Sequence, residues 1–389
     1  MAVRFTLSVM IGKVWWPAAL TALMVVGALA VSVCAPAVAA PASATQVRLY
    51  LLDKIARGEI PGALVEVAGP AGRWSTAEGF AADRPPRPMS TTLQHRIGSI
   101  TKTFTTTLVL QLVREGKVAL DDPIARYVDG VPGGSSITVR MLGDMTAGLS
   151  EYLGSPALRK ALFANPYRNW TTNELLSASY ALGPEFAPGA SSSYSNANTV
   201  VLGRLVENVD RTPFAVSLRN RILRPYGLTN TYYPTTNRFR GAHTDGHTAW
   251  LPGSPITDST DWNPSYGNAA GQMVSTIGDL TRWVRLLGTG ALVGPRLQAE
   301  RLRWKPIGDN TATWHYTFGI EENSGWLGHN GEIFGYETYA VYHPRLRSSI
   351  VLAVNTDKRI GTEPAVNVIL RDISGMLFPG HRVEVPVVG

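Results

Sequence analysis

Between residues 45 and 57 apolar side chains return every four positions, at Val47, Leu51 and Ile55, and Gly58 follows them. That period predicts an amphipathic helix with a glycine stop. "GALVEVAG" and "GRWSTAEGFAA" read instead as two strands joined by a Gly-Pro turn. A second helix begins near Ser99, with Phe104, Leu108 and Leu112 on one face and Gly116 placed as its C-terminal cap. From about 117 to 265, helical patterns ("TTNELLSASYAL", "ANTVVLGRLVENV") alternate with Pro/Gly/Ser-rich loops, which marks an inserted, mostly helical region. After another helix in "STIGDLTRWVRLLGTG", the stretches "GWLGHNGEIF", "YETYAVYHP" and "SSIVLAVNT" have strand composition. Thr362 with Pro364 starts a last helix that runs to about Leu377. Strands at both ends with helices between them predict an α+β fold, its antiparallel sheet assembled from the N- and C-terminal parts.

The first 44 of the 389 residues change this picture in one respect. Arg4 and Lys13 precede a long uncharged apolar run, and small-residue sites follow at Ala37-Val38-Ala39 and Ala42-Ser43-Ala44. This is the composition of an export signal. The run from Val14 to Val33 is also long enough to span a membrane, so an uncleaved anchor is the rival reading. Both place residues 45–389 outside the cytoplasm, secreted in the first case and membrane-anchored in the second. The single cysteine, Cys34, lies in this segment, which leaves the folded part without disulfides or a thiol nucleophile. The net charge of +7 is modest, and no basic block or basic-aromatic stripe argues for nucleic acid.

Ser99 and Lys102 stand one helical turn apart, so both can lie on one face, and a helix start offers partial positive charge and free N–H groups. A serine hydroxyl needs such a neighbour to lose its proton. Downstream, a Pro-Gly turn precedes Tyr194-Ser195-Asn196. A nearby ammonium can lower the pKa of the Tyr194 phenol and let it relay a proton, and Asn196 can bind a substrate carbonyl and hold Lys102. His329-Asn330-Gly331 falls on a predicted strand, where Gly331 would let a substrate backbone come close.

Together these three elements resemble the serine penicillin-recognising family, which carries S-x-x-K, Y-x-N and H/K-x-G in this order. Here they are Ser99 to Lys102, Tyr194 to Asn196 and His329 to Gly331, and the likeness looks closest to secreted D-alanyl-D-alanine carboxypeptidases and class C β-lactamases. The resemblance implies a β-lactamase/transpeptidase-like fold over residues 45–377, a Ser99 acyl-enzyme, and proton transfer shared by Lys102 and Tyr194. It also implies that Asn196, His329, Asn330 and Gly331 contact substrate, with the backbone N–H groups of Ser99 and Glu332 around the oxyanion. Tyr266 falls where an aromatic pocket wall is usual. A peptide, β-lactam or ester is the implied substrate, peptidoglycan a further candidate, and neither metal nor cofactor is needed. D-Ala-D-Ala carboxypeptidase comes first among the implied activities, ahead of β-lactamase, esterase or D-amino-acid amidase.

Two positions depart from the carboxypeptidase pattern. Asn330 stands where a hydroxyl is commoner, and Glu321 stands where an arginine is expected on the preceding strand; a further acid, Glu332, directly follows the third motif. If Glu321 and Glu332 both face the leaving group, a free terminal carboxylate is disfavoured. Among rival chemistries, His243, Asp245 and His247 read better as a polar loop than as zinc ligands. No G-x-S-x-G elbow or phosphate-binding loop occurs. A non-catalytic binding protein on this fold would be marked by loss of a catalytic residue, and none is missing.

Overall fold

The computed structural model describes residues 42–384 apart from 252 and 309; the predicted export segment, with Cys34, lies almost wholly outside the described residues. Among these, no helix is long and apolar enough to cross a membrane. Helix α1, Ala42–Ala56, starts three residues before the predicted boundary, and Gly58 closes it with φ of 66°. An eight-stranded sheet follows from β1 (Gly62–Gly69), β2 (Gly72–Asp83), β3 (Pro86–Pro88), β4 (Trp314–Tyr316), β5 (Glu321–Asn323), β6 (Trp326–Ile333), β7 (Tyr336–His343) and β8 (Ser348–Val354). Its order is β3-β2-β1-β8-β7-β6-β5-β4, and each pairing is antiparallel. The central seam joins β1 to β8, with Val65 opposite Leu352.

Strand alternation divides the core into two layers. Ala63, Val65 and Val67 of β1 with Ile350, Leu352 and Val354 of β8 pack towards α1 and the last helix, α5 (Ala365–Leu377). Leu64, Val351 and Ala353 face the other way, towards α2 (Thr101–Arg114) and α4 (Ile277–Gly288). Helix α4 lies on the sheet because Ile277, Leu280, Trp283, Val284 and Leu287 form one buried stripe, and Thr276 accepts the Asp279 N–H at its start. Helix α5 begins at Ala365, just after Pro364 rather than at Thr362, and the Glu337 carboxylate accepts the Val366 N–H in its first turn.

The described residues of 117–265 hold five helices, Val139–Gly143, Pro156–Ala164, Thr172–Tyr180, α3 (Asn196–Asp210) and Phe214–Leu218, with short 3₁₀ and π turns and one two-stranded ribbon. Their core is continuous with that of α2: Leu205, Leu218 and Leu175 belong to the same apolar cluster as Phe104 and Leu108. Helix α2 is therefore enclosed, and its threonines must find partners. Thr105 donates to the Ala269 carbonyl at 2.7 Å, Thr103 accepts the Trp283 indole N–H at 2.8 Å, and Phe104 stacks on Trp283 at 3.7 Å. This burial fixes the helix that carries Lys102.

Candidate active site

Ser99 sits in a single 3₁₀ turn, Gly98–Ile100, that runs into α2. The predicted helix start is thus resolved into a tighter turn, and no side chain caps it. Strand β6 presses against this turn. A Cβ on Gly98, whose φ is 49°, would lie 2.6 Å from the Glu332 nitrogen, and one on Gly331 would lie 2.0 Å from the Ile97 carbonyl and 3.1 Å from the Ser99 nitrogen. Two glycines thus let the N–H groups of Ser99 and Glu332 occupy one small region. Gly331 serves this chain-on-chain approach, not the approach of a substrate backbone that the sequence suggested. Gly331→Ala should push β6 off the turn, costing roughly 1–3 kcal/mol of stability as overpacking does; a thermal melt read beside the acylation rate would detect both losses.

Lys102 is fully buried, and its Nζ lies 2.9 Å from Ser99 Oγ, 2.6 Å from Asn196 Oδ1 and 2.9 Å from the Ala270 carbonyl. The last two partners can only accept. A neutral amine has two protons, so serving both turns its lone pair towards the serine hydroxyl. Burial pulls the Lys102 pKa down to about 7, against the Glu151 and Glu321 carboxylates, which raise it. The arrangement can therefore supply a general base near neutral pH.

Tyr194 and Asn196 enter from the start of α3. Ser195 caps that helix by accepting the Ala197 N–H, and Glu151 accepts the Asn196 N–H at 2.6 Å. The Lys102 ammonium lies 4.7 Å from the Tyr194 ring centroid. The expected lowering of the Tyr194 pKa does not occur. Even with 39% of the residue open to solvent, burial of its surroundings and the Glu321 and Glu151 carboxylates push it well up, while hydrogen bonding with Ser99 works the other way. Lys102, not a tyrosinate, is the group that can be neutral and basic at pH 7.

His329 is likewise corrected. It has no exposed surface, and burial followed by the Lys102 charge brings its pKa down to about 3. Its Nδ1 is 2.5 Å from the Asn330 carbonyl, which can only accept, so this nitrogen carries the proton and Nε2 accepts the Tyr316 hydroxyl at 3.2 Å. A neutral, enclosed imidazole replaces the substrate contact expected there. Asn330 keeps partial exposure on the opposite face of β6. Tyr266 is also no open wall: it is 7% exposed, packs 4.9 Å from the Phe334 ring, and its hydroxyl accepts the Phe334 N–H at 3.2 Å.

The two acids separate. Glu321 is buried and accepts the Tyr339 hydroxyl at 2.9 Å, so it does not face a leaving group. Glu332 stays partly exposed at the end of β6, where its carboxylate accepts the indole N–H of the exposed Trp250 at 2.9 Å. Burial raises its pKa, Arg359 opposes this and Asp357 adds to it. Glu337 lies directly across the ladder. Glu151, Tyr316 and Tyr339 went unnoticed in the sequence, because no short-range spacing ties them to Ser99; the only local hint is that Glu151 adjoins Tyr152, whose hydroxyl bonds the Tyr266 carbonyl.

A family model described as Beta-lactamase matches residues 47–373. The chain belongs to this family. It is a serine hydrolase of the β-lactamase and penicillin-binding group, with the corresponding α+β fold, as the three motifs implied. A D-stereospecific amidohydrolase from a Streptomyces species superposes with a TM-score of 0.78 at 29% identity, covering 87% of this chain and 99% of that one. The D-amino acid amidase of Ochrobactrum anthropi SV3, complexed with D-phenylalanine, gives 0.77 at 25% identity over 86% and 98%. Among curated family members, the flp protein of Staphylococcus aureus is 23% identical over 324 residues, 80% of this chain and 63% of that one. This chain thus spans less than two thirds of that relative. The D-alanyl-D-alanine-carboxypeptidase/endopeptidase AmpH of Escherichia coli K12 is 27% identical over 216 residues, 54% of this chain and 52% of AmpH.

Proposed function

We propose that this protein is an exported amide hydrolase acting on small substrates with a D-configured acyl side, and that its leaving group is neutral or cationic. Ser99 Oγ attacks the carbonyl as its proton passes to the Lys102 amine. The tetrahedral oxyanion rests between the Ser99 and Glu332 N–H groups. As the C–N bond breaks, the proton returns through the Tyr194 hydroxyl to the leaving nitrogen; water then cleaves the ester and supplies the next proton. Asn196 holds Lys102 and offers its amide to the acyl side. Neither metal nor cofactor enters these steps. The D-configuration is supported by the two amidases that the chain resembles in fold and sequence.

The observation that carries the leaving-group preference is the Glu332 carboxyl, whose own backbone N–H belongs to the oxyanion pair. Glu337 lies across the ladder from Glu332, the Asp357 carboxylate adds a like charge, and the Arg359 guanidinium opposes both through space. A substrate carboxylate about 5 Å from an ionised Glu332 meets a repulsion of about 3 kcal/mol at an effective dielectric near 20, roughly two decades in rate. This supports amide or internal peptide cleavage ahead of release of a free C-terminal D-alanine. The expected result is a kcat/KM for a D-Ala-D-Ala peptide amide about a hundredfold above that for the free acid, with the gap widening as pH rises and Glu332 ionises. Glu332→Gln should narrow the gap. A parent enzyme that prefers the free acid returns carboxypeptidase to first place. Export rests on the composition of residues 1–44, and fractionation of the producing cells tests it.

A further inference from the structure

Beneath the Ser99 turn lies a polar network that the acylation scheme does not use. Glu321, on β5, is 7% exposed; its Oε2 accepts the Tyr339 hydroxyl at 2.9 Å, and its Oε1 is 3.6 Å from His329 Nδ1. His329 in turn accepts the Tyr316 hydroxyl, and the Tyr316 ring stands edge-on to Tyr194 with centroids 5.8 Å apart. Among the described residues, the one ion contact of Glu321 is with His329, and burial, with the Lys102 charge, holds that imidazole neutral. A buried carboxylate without a guanidinium or ammonium in contact is costly. The buried cation on the far side of this network is Lys102.

We infer that Glu321 is a positioning residue acting through Lys102: the two buried groups, separated by His329 and the rings of Tyr194 and Tyr316, form one titrating unit, and Glu321 thereby sets the pH at which Ser99 is activated. Burial raises the Glu321 pKa to about 7, with Tyr339, Trp314, Lys102 and the Asn330 N–H opposing it. Burial pulls the Lys102 pKa down while the Glu321 carboxylate holds it up, so the charge state of one group bears on that of the other. The groups facing Lys102 are few. Glu151 comes from the start of the 3₁₀ turn before Pro156, Ser99 from the turn into α2, and Asn196 and Tyr194 from the start of α3, while His329 on β6 and Glu321 on β5 interact with Lys102 through space. Facing Glu321 are Tyr339 on β7, His329 on β6 and Trp314 on β4. Glu322, its neighbour, turns to His315 instead.

The sign of the effect follows. An anionic Glu321 favours the Lys102 ammonium; replacing the carboxylate by an amide frees the amine at lower pH. The test is the rate of Ser99 acylation by a fluorophosphonate between pH 5 and 9, which requires the family's serine chemistry but not the proposed leaving-group preference. In Glu321→Gln the acid limb of this profile should move down by about one unit, the scale of a nearby charge, with the plateau rate kept within about tenfold. Tyr339→Phe removes one hydrogen bond to the carboxylate, favours its protonated form, and should move the limb the same way by less. This second variant decides the matter if the first fails to fold. An acid limb that stays in place or moves up in the folded variant, or a loss of rate equal at every pH, overturns the inference.

Discussion

Ser99→Ala should abolish turnover, with kcat/KM falling at least about 10⁴-fold, the scale seen when a nucleophile is removed from a serine hydrolase. The fold should survive, because the hydroxyl contributes one hydrogen bond, to Lys102 at 2.9 Å, and a net loss of about 1 kcal/mol is typical. Incubation of the parent with a penicillin or a fluorophosphonate should add one covalent mass to the peptide that carries Ser99. The variant should stay unlabelled while melting within a few degrees of the parent. Label retained in the variant would move the nucleophile elsewhere and remove the basis for the scheme above.

Lys102→Ala and Tyr194→Phe should each slow acylation at least about a hundredfold, as general acid–base groups do. The lysine should cost more. Its removal also leaves Asn196 Oδ1 and the Ala270 carbonyl without their donor in a closed site, a desolvation penalty of about 1–3 kcal/mol apiece. Because both act on one proton, the double variant should fall little below the slower single variant instead of showing the product of the two losses. In the parent, the acid limb of kcat/KM should lie near pH 7, where Lys102 loses its proton. Near-normal acylation in both single variants would sink the proton-transfer assignment.

How much of this could be read from residues alone depended on distance along the chain. Ser99 and Lys102 share a helical turn, and Tyr194 and Asn196 flank the start of a helix, so local geometry announces them. The sheet was equally legible, since the alternation of Ala63, Leu64 and Val65 divides two cores. Charge and exposure were not. His329 is neutral because the folded chain buries it within the field of Lys102, and Glu321 is buried because Tyr339, two strands away, receives it. Gly331 looked like room for a substrate, whereas the space is taken by the Ile97 carbonyl from more than two hundred residues earlier. Partners of that kind leave no spacing to detect.

The pairing of β1 with β8 has a consequence for the chain while it is being made. Ser99 belongs to the first third of the polypeptide, but the N–H of Glu332 and the strands that press it into place emerge near the end. Long-range pairing of this type is slow to form. A growing chain carries its serine and lysine without the second oxyanion donor, and so stays chemically silent until synthesis is almost finished. Gain of acylation can therefore serve as a clock for the closing of the whole molecule.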